Sequence, residues 1–249
     1  MKASVFNAYS AYYDLLYRDK DYKAEVDYID ALLRSYNVSG KGLLEFGSGT
    51  GKHGKLLAEL GYDVTGIERS TEMVEQAKSS SGFSCQQGDI CSVQLGRTFD
   101  AVLSLFHVVS YLTTNHSVQS VFSRASEHLK PGGLFLFDIW YSPAVLTMKP
   151  EVRVKRISDD SVEITRIAEP QMHPNTNCVD VNYNVFVRDL KSGDVEIITE
   201  THPMRHFSLP ELDLLAQISG FERLGAEEFM TGNNPSEKTW GVCLVLKKK

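Results

Sequence analysis

The chain has 249 residues, of which 42% are hydrophobic and 23% charged, with a formal net charge of -6. This length suits one globular domain with an insertion, and no apolar run approaches the ~20 residues that span a bilayer. The negative charge disfavours a nucleic-acid partner. The four cysteines show no C-x-x-C spacing, which favours reduced thiols in a cytoplasmic protein over a disulfide frame or a metal site.

The N-terminal segment, residues 4 to 36, predicts two helices that are separated by a polar break at 18–21. The first helix is rich in tyrosine: Tyr9, Tyr12, Tyr13 and Tyr17 fall at helical spacing. A tyrosine offers an apolar ring and a hydroxyl. The group therefore either packs in a core or closes over a ligand.

A short apolar strand at 43–46 then runs into a glycine-rich turn with Gly47, Gly49 and Gly51, and residues 52–60 continue at helical spacing. Glycine permits positive φ and close approach of a ligand to the backbone, and a helix N-terminus offers unpaired N–H groups. The sequence therefore predicts a binding site for a nucleotide-like ligand at this turn.

Of two known phosphate-binding patterns, one fails at this turn and the other matches it. A P-loop requires Ser or Thr after Gly-Lys, but His53 follows Gly51-Lys52. The pattern G-x-G-x-x-G does occur at Gly49, Gly51 and Gly54, so an NAD(P)-dependent oxidoreductase is one alternative.

Strands and helices alternate up to residue 140, which predicts an α/β, Rossmann-like parallel sheet. The second strand ends on Glu68 and the third on Asp89, and the apolar fourth and fifth strands end near Phe106 and Trp140. Ligands of such sheets bind outside the carboxyl ends of the strands. We expect these residues and Gly47 to line one edge.

The pattern changes between 150 and 207, where alternating residues and turn signals predict an antiparallel sheet. A helix and two strands follow. We therefore predict an N-terminal helical cap at 1–40, a core at 41–149 and 208–249, and an inserted sheet at 150–207 that shapes the substrate site or forms a homodimer.

With Glu45 before its three glycines, Glu68 after the second strand and Gly88-Asp89 after the third, the chain resembles the class I S-adenosylmethionine (SAM) methyltransferases. The resemblance implies a seven-stranded sheet and SAM as cofactor, with S-adenosylhomocysteine as product. It also implies that Glu68 accepts the ribose hydroxyls and that Asp89 accepts from the adenine amino group.

Tyr13-Asp-Leu-Leu-Tyr17, followed by Tyr22 and later by the inserted sheet, resembles the nucleotide-sugar N-methyltransferases, which dimethylate the amine of dTDP-linked aminosugars. This resemblance implies that the N-terminal tyrosines approach the methionine part of SAM. The expected cofactor-binding residues are Tyr13, Tyr17, Tyr22, Glu45, Gly47, Ser48, Gly49, Gly51, Glu68, Arg69, Met73, Asp89, Ile90, Leu105 and Phe106.

His107 follows the fourth strand, where the family places substrate-facing residues, so it is the candidate base or orienting group, with Tyr13 as a second catalytic candidate. Tyr111, Trp140 and Tyr141 are expected to wall a small-molecule acceptor. The alternatives are O- or carboxyl-methylation of another metabolite, the oxidoreductase, and a SAM-binding protein without catalysis. We expect no metal, no nucleic acid and no membrane partner.

Overall fold

The computed structural model describes residues 12–249, and its contacts divide the chain into two units. The larger unit comprises residues 21–148 and 206–249, and the smaller unit contains the described residues 12–20 with 149–205. The predicted helix at Tyr9 lies outside the described residues. No helix in the described range is long and apolar enough to cross a membrane.

The secondary structure follows the predicted alternation. In chain order the elements are α1 (Tyr13–Leu16), α2 (Tyr22–Ser35), β1 (Gly42–Phe46), α3 (Lys52–Glu59), β2 (Asp63–Glu68), α4 (Thr71–Ala77), β3 (Phe83–Gln87), β4 (Phe99–Ser104), α5 (Asn115–His128), β5 (Leu129–Tyr141), α6 (Ser142–Met148), β6 (Arg153–Ser158), β7 (Val162–His173), β8 (Cys178–Asp189), β9 (Val195–Phe207), α7 (Leu209–Ile218), β10 (Phe221–Glu228) and β11 (Gly241–Lys248).

The larger unit contains a parallel sheet in the order β3-β2-β1-β4-β5. Strand β11 pairs antiparallel with β5, and β10 pairs antiparallel with β11. The chain moves outward in one direction from β1 to β3 and in the other from β4 to β5, so the order reverses between β1 and β4. The predicted α/β, Rossmann-like class is confirmed, and ligands of such sheets bind where this reversal occurs.

Successive residues of β1 enter the hydrophobic cores on opposite faces of this sheet. Leu44 and Phe46 join a cluster on one face, while Leu43 joins the other cluster with residues of α2 and α3. Phe122 of α5 meets Phe135 and Phe137 of β5 edge-on, with ring centroids 5.5 Å apart in both pairs. Burial on both faces fixes β1 and β4, and therefore fixes the loops that follow them.

The smaller unit contains the antiparallel strands β6 to β9, paired in chain order. Leu16 of α1 is fully buried in a cluster with Ile164 and Val185 of this sheet. Strand β9 ends with two residues that belong to the larger unit, and there His206 pairs with Trp140 of β5.

Two local features were not predicted. The segment 130–133 is a bulge inside β5: Phe99 pairs with Leu129, and Ala101 pairs with Leu134. Helix α6 was not predicted, because its seven residues are too few to show helical spacing.

Candidate functional site

The glycine turn after β1 has the backbone that only glycine adopts easily. Gly47, Gly49 and Gly51 have φ angles of 71°, 55° and 77°. A β-carbon on Gly47 would lie 2.6 Å from Val108, and one on Gly51 would lie 2.6 Å from Phe83. The turn therefore exposes backbone at a point where side chains would collide.

Glu68, at the end of β2, is fixed beside this turn. Its carboxylate is largely buried and accepts three backbone N–H groups, from Gly49 at 3.0 Å, Arg69 at 2.7 Å and Ser70 at 2.9 Å. The hydroxyl of Ser70 caps α4 by accepting the N–H of Met73, whose buried sulfur would lie 4.0 Å from a β-carbon on Gly49. The acid, the turn and α4 therefore form one connected site.

Glu45 is a buried carboxyl at the centre of the same region, with an exposed fraction of 1%. Burial, and after it the charge of Glu68, raise its pKa to about 8, and a hydrogen bond from the backbone of Gly54 opposes this shift. Within residues 12–249, its Oε2 atom accepts no hydrogen bond. A cationic ligand beside Glu45 would favour the ionised carboxylate.

His53, in the first turn of α3, was not among the predicted site residues. It is buried, and its Nε2 lies 2.7 Å from Oε2 of Glu25 on α2, while its Nδ1 lies 3.8 Å from Oε1 of Glu45. The ring of Tyr22 meets the His53 ring edge-on at 5.0 Å. Glu25, His53 and Tyr22 thus connect α2 to the glycine turn.

The other predicted residues around the turn have varied surroundings. Asp89 is exposed after β3, and its Oδ1 accepts the N–H of Cys91 at 2.8 Å. Ser48 is buried with its Oγ 3.3 Å from Sγ of Cys85. Arg69 is exposed, Ile90 and Phe106 are half-buried, and Leu105 is buried.

The turn after β4 is strained, because Phe106 and His107 both have positive φ, at 64° and 62°. Asp138 of β5, only 1% exposed, accepts the backbone N–H of His107 with both oxygens, at 3.1 and 3.0 Å. Nδ1 of His107 lies 2.6 Å from Oδ2 of Asp138, although off the direction of a straight hydrogen bond. Asp138 was not predicted, because its position inside an apolar strand gave no sign of this contact.

Aromatic side chains surround His107. Its ring centroid lies 6.3 Å from Trp140, which in turn lies 5.3 Å from Trp240. Tyr111 stands in a short 3-10 turn after His107, and Tyr141 ends β5; both are half-buried. Trp240 was not predicted. It is brought here by the pairing of β11 with β5, in which the next residue, Gly241, lies opposite Trp140.

Tyr13 and Tyr17 lie in the smaller unit, with ring centroids 4.7 Å apart. The guanidinium of Arg166 on β7 lies 5.9 Å from the Tyr17 ring. Their catalytic and cofactor-binding roles stay predictions. Within residues 12–249, no cluster of three or more His, Cys, Asp or Glu side chains has the arrangement of a metal site.

Comparisons with known proteins fit this site. A family model described as "Methyltransferase domain" matches residues 43–133. The dTDP-3-amino-3,4,6-trideoxy-alpha-D-glucopyranose N,N-dimethyltransferase of Streptomyces venezuelae is 32% identical over 198 residues, which are 76% of this chain and 82% of the relative. The dTDP-3-amino-3,6-dideoxy-alpha-D-glucopyranose N,N-dimethyltransferase of Streptomyces fradiae is 27% identical over 223 residues, covering 88% and 84%.

Solved structures share the fold along nearly the whole chain. Streptomyces venezuelae DesVI superposes with a TM-score of 0.81 at 25% identity, covering 98% of this chain and 100% of that one. SAM-bound CalS10, described as an amino pentose methyltransferase from Micromonospora echinaspora, has a TM-score of 0.78 at 23% identity, with both chains fully covered.

The chain is therefore a SAM-dependent methyltransferase. It belongs to the methyltransferase family that includes the dTDP-aminosugar N,N-dimethyltransferase of Streptomyces venezuelae. The predicted resemblance, the enzyme class and the cofactor are confirmed, and the oxidoreductase alternative is set aside.

The residues present fit SAM as this cofactor. The glycine turn leaves room for a ligand against bare backbone, and Glu68 places a fixed carboxylate beside it. The Oε2 atom of Glu45, which accepts no hydrogen bond from the described residues, suits a ligand that carries positive charge.

Proposed function

We propose that this enzyme methylates the amine of a nucleotide-linked aminosugar. The observation that carries the proposal is the arrangement of His107 at the end of β4, held by Asp138 and flanked by Trp140. This group stands at the edge of the sheet that also carries the glycine turn. The names of the two Streptomyces relatives, which act on dTDP-linked aminosugars, support the same acceptor class.

We assign the cofactor's parts to residues of the larger unit. Glu68 accepts the ribose hydroxyls with the lone pairs that its three N–H contacts leave, and Asp89 accepts from the adenine amino group. The turn at Gly47, Gly49 and Gly51 approaches the cofactor with backbone, and Glu45 faces its positive charge. The other residues assigned to this site are Tyr22, Ser48, Arg69, Met73, Ile90, Leu105 and Phe106.

SAM, when bound, supplies a methyl group that is activated by attachment to a sulfonium. The protein's main contribution is alignment of the acceptor, and orientation of this kind supplies about 7 to 11 kcal/mol. The acceptor nitrogen attacks as a neutral amine and loses a proton after the new bond forms. His107 is the base that accepts this proton at Nε2.

Aromatic residues form the wall of the acceptor site in this proposal. Tyr111, Trp140 and Tyr141 were expected there, and the contact of Trp240 with Trp140 adds a fourth ring. An aromatic face near a cation contributes about 0.5 to 2 kcal/mol. These rings therefore both shape the pocket and favour the positive charge that passes from cofactor to product.

The finer architecture is part of the proposal. We infer that β1 to β5 with β10 and β11 form the family's seven-stranded sheet, and that β6 to β9 are an inserted sheet. The predicted cap at 1–40, core at 41–149 and 208–249, and insertion at 150–207 are the corresponding domains. The inserted sheet is also the proposed contact of a homodimer.

The test supplies SAM with a deuterated methyl group and two acceptors that share the nucleotide and the ring. One acceptor is a dTDP-linked 3-aminosugar and the other is its 3-hydroxyl counterpart. Mass spectrometry is expected to show one and then two labelled methyl groups on the amine alone. Labelling of the hydroxyl sugar, with the amine unlabelled, would support the O-methylation alternative.

A further inference from the structure

Asp138 is a buried carboxylate to which the proposed mechanism gives no direct task. It lies in the middle of β5 with an exposed fraction of 1%, where an unpaired charge is strongly disfavoured. We propose that Asp138 is a positioning residue for methyl transfer, holding the His107 ring with its Nδ1 proton inward and Nε2 as the proton acceptor. The inference rests on the proposed function of His107.

Three contacts of Asp138 are with His107. Both of its oxygens accept the backbone N–H of His107, and Oδ2 is also 2.6 Å from Nδ1 of the same residue. A carboxylate accepts hydrogen bonds and donates none. The tautomer with hydrogen on Nδ1 is therefore favoured, and this tautomer presents Nε2 as a base.

The backbone at His107 needs such support. Phe106 and His107 are consecutive residues with φ near +60°, a conformation that costs free energy in non-glycine residues. The two oxygens of Asp138 share the N–H of His107, and a hydrogen bond to a charged group is stronger than one between neutral groups. This contact therefore offsets part of the cost.

Two aromatic rings lie near the imidazole of His107. The ring centroids of Phe106 and Trp140 are 5.8 and 6.3 Å from that of His107. On β11, Cys243 lies opposite Asp138, and burial raises the pKa of its thiol, so it stays neutral. Among the described residues, Asp138 places its carboxylate 2.6 Å from Nδ1 of His107.

A purely structural carboxylate would behave differently from a positioning residue. If Asp138 only stabilised the turn, Asp138→Asn would lower stability and its effect would be independent of the side chain at position 107. If Asp138 acts through the imidazole, its effect on turnover disappears once the imidazole is gone. A double-mutant cycle on kcat separates the two roles.

The kinetic experiment compares wild type, Asp138→Asn, His107→Gln and the double variant, with the dTDP-aminosugar as acceptor. Both single variants are expected to lower kcat about 10- to 100-fold, which is within the range of lost proton transfer. The double variant should be no slower than His107→Gln, and KM for SAM should be unchanged in all three. Multiplying effects in the double variant would overturn the proposal.

The control is Asp100→Asn, the same change at a partly buried aspartate of β4 that binds Lys130. It is expected to lower the thermal midpoint while leaving kcat unchanged. A similar loss of kcat in this control would show that damage to the sheet alone accounts for the Asp138 result.

The second arm reads the tautomer and needs no acceptor. In 15N-histidine NMR of the free wild-type enzyme, the His107 ring signals are assigned by their absence in His107→Gln. In the wild type, Nδ1 of His107 is expected to be protonated and Nε2 unprotonated. In Asp138→Asn, a mixed or reversed population of the two tautomers is expected. An Nε2–H tautomer in wild type would overturn the inference even if Asp138→Asn does not fold. An Nδ1–H tautomer without turnover on the aminosugar would instead reject only the proposed acceptor.

Discussion

Replacement of Glu68 by glutamine tests the cofactor site, because it removes the charge and one acceptor atom without changing the side chain's shape. In the structure Oε1 accepts the N–H groups of Arg69 and Ser70, while Oε2 accepts that of Gly49. A glutamine keeps its oxygen on the first two and turns its amide nitrogen toward Gly49. A donor then faces a donor at about the 3.0 Å separation seen for the carboxylate.

The expected loss of SAM affinity follows from the loss of a charged acceptor for the ribose hydroxyls. A hydrogen bond to a charged group contributes about 1.5 to 3 kcal/mol. Since each 1.4 kcal/mol is a factor of 10, Kd for SAM should rise about 10- to 150-fold. The unpaired N–H of Gly49 should also lower the free energy of unfolding by about 1 to 3 kcal/mol.

The assay is isothermal calorimetry with S-adenosylhomocysteine, accompanied by urea unfolding. Glu75→Gln is the matched control, since the same substitution is made at an exposed position of α4. Unchanged affinity in Glu68→Gln, with the control also unchanged, would refute the role of Glu68. A loss of stability without a loss of affinity would reduce Glu68 to a support for the turn.

Three further predictions follow from the same region. Glu45 keeps its proton up to a pKa of about 8 in the fold, against an ordinary value of 4.5, so its contribution to stability is lost as pH rises through 8. Urea unfolding from pH 6 to 9 should show this loss in wild type and a smaller one in Glu45→Gln. A bound cation favours the ionised carboxyl of Glu45, so SAM should bind the wild type more tightly as pH rises toward about 8. In calorimetry, the affinity of Glu45→Gln should depend less on pH. Equal pH profiles in the two proteins would contradict a contact between Glu45 and SAM. Gly61→Ala is expected to lower the free energy of unfolding by about 1 to 2 kcal/mol, because Gly61 has positive φ. Gly51→Ala should lower it by more, because Gly51 also has positive φ and the added carbon would lie 2.6 Å from Phe83. Equal losses in urea unfolding would contradict the clash.

The sequence was sufficient to place the candidate residues whose positions depend on local spacing. The three glycines after an apolar strand, Glu68 about 20 residues later and Asp89 after the next strand follow from strand-helix alternation. The family resemblance then supplied the cofactor. Each of these residues lies at the end of a strand or in the loop that directly follows it.

The parts that were missed depend on contacts between distant segments. Asp138 lies inside an apolar strand, and only the turn of the backbone at Phe106 and His107 brings its carboxylate to an N–H group. Trp240 reaches Trp140 through the register between β11 and β5. His53 contacts Glu25 because α2 packs on α3, and no spacing in the sequence predicts this packing.

The atom that receives the methyl group decides the central claim. The enzyme is incubated with SAM carrying a 13C methyl group and a dTDP-linked 3-aminosugar, and the product is studied by two-dimensional NMR. The account predicts that the labelled methyl correlates with the ring carbon that bears the amine, first as one and then as two N-methyl groups. A labelled methyl on a ring hydroxyl or on the nucleotide, with the amine unchanged, would contradict it.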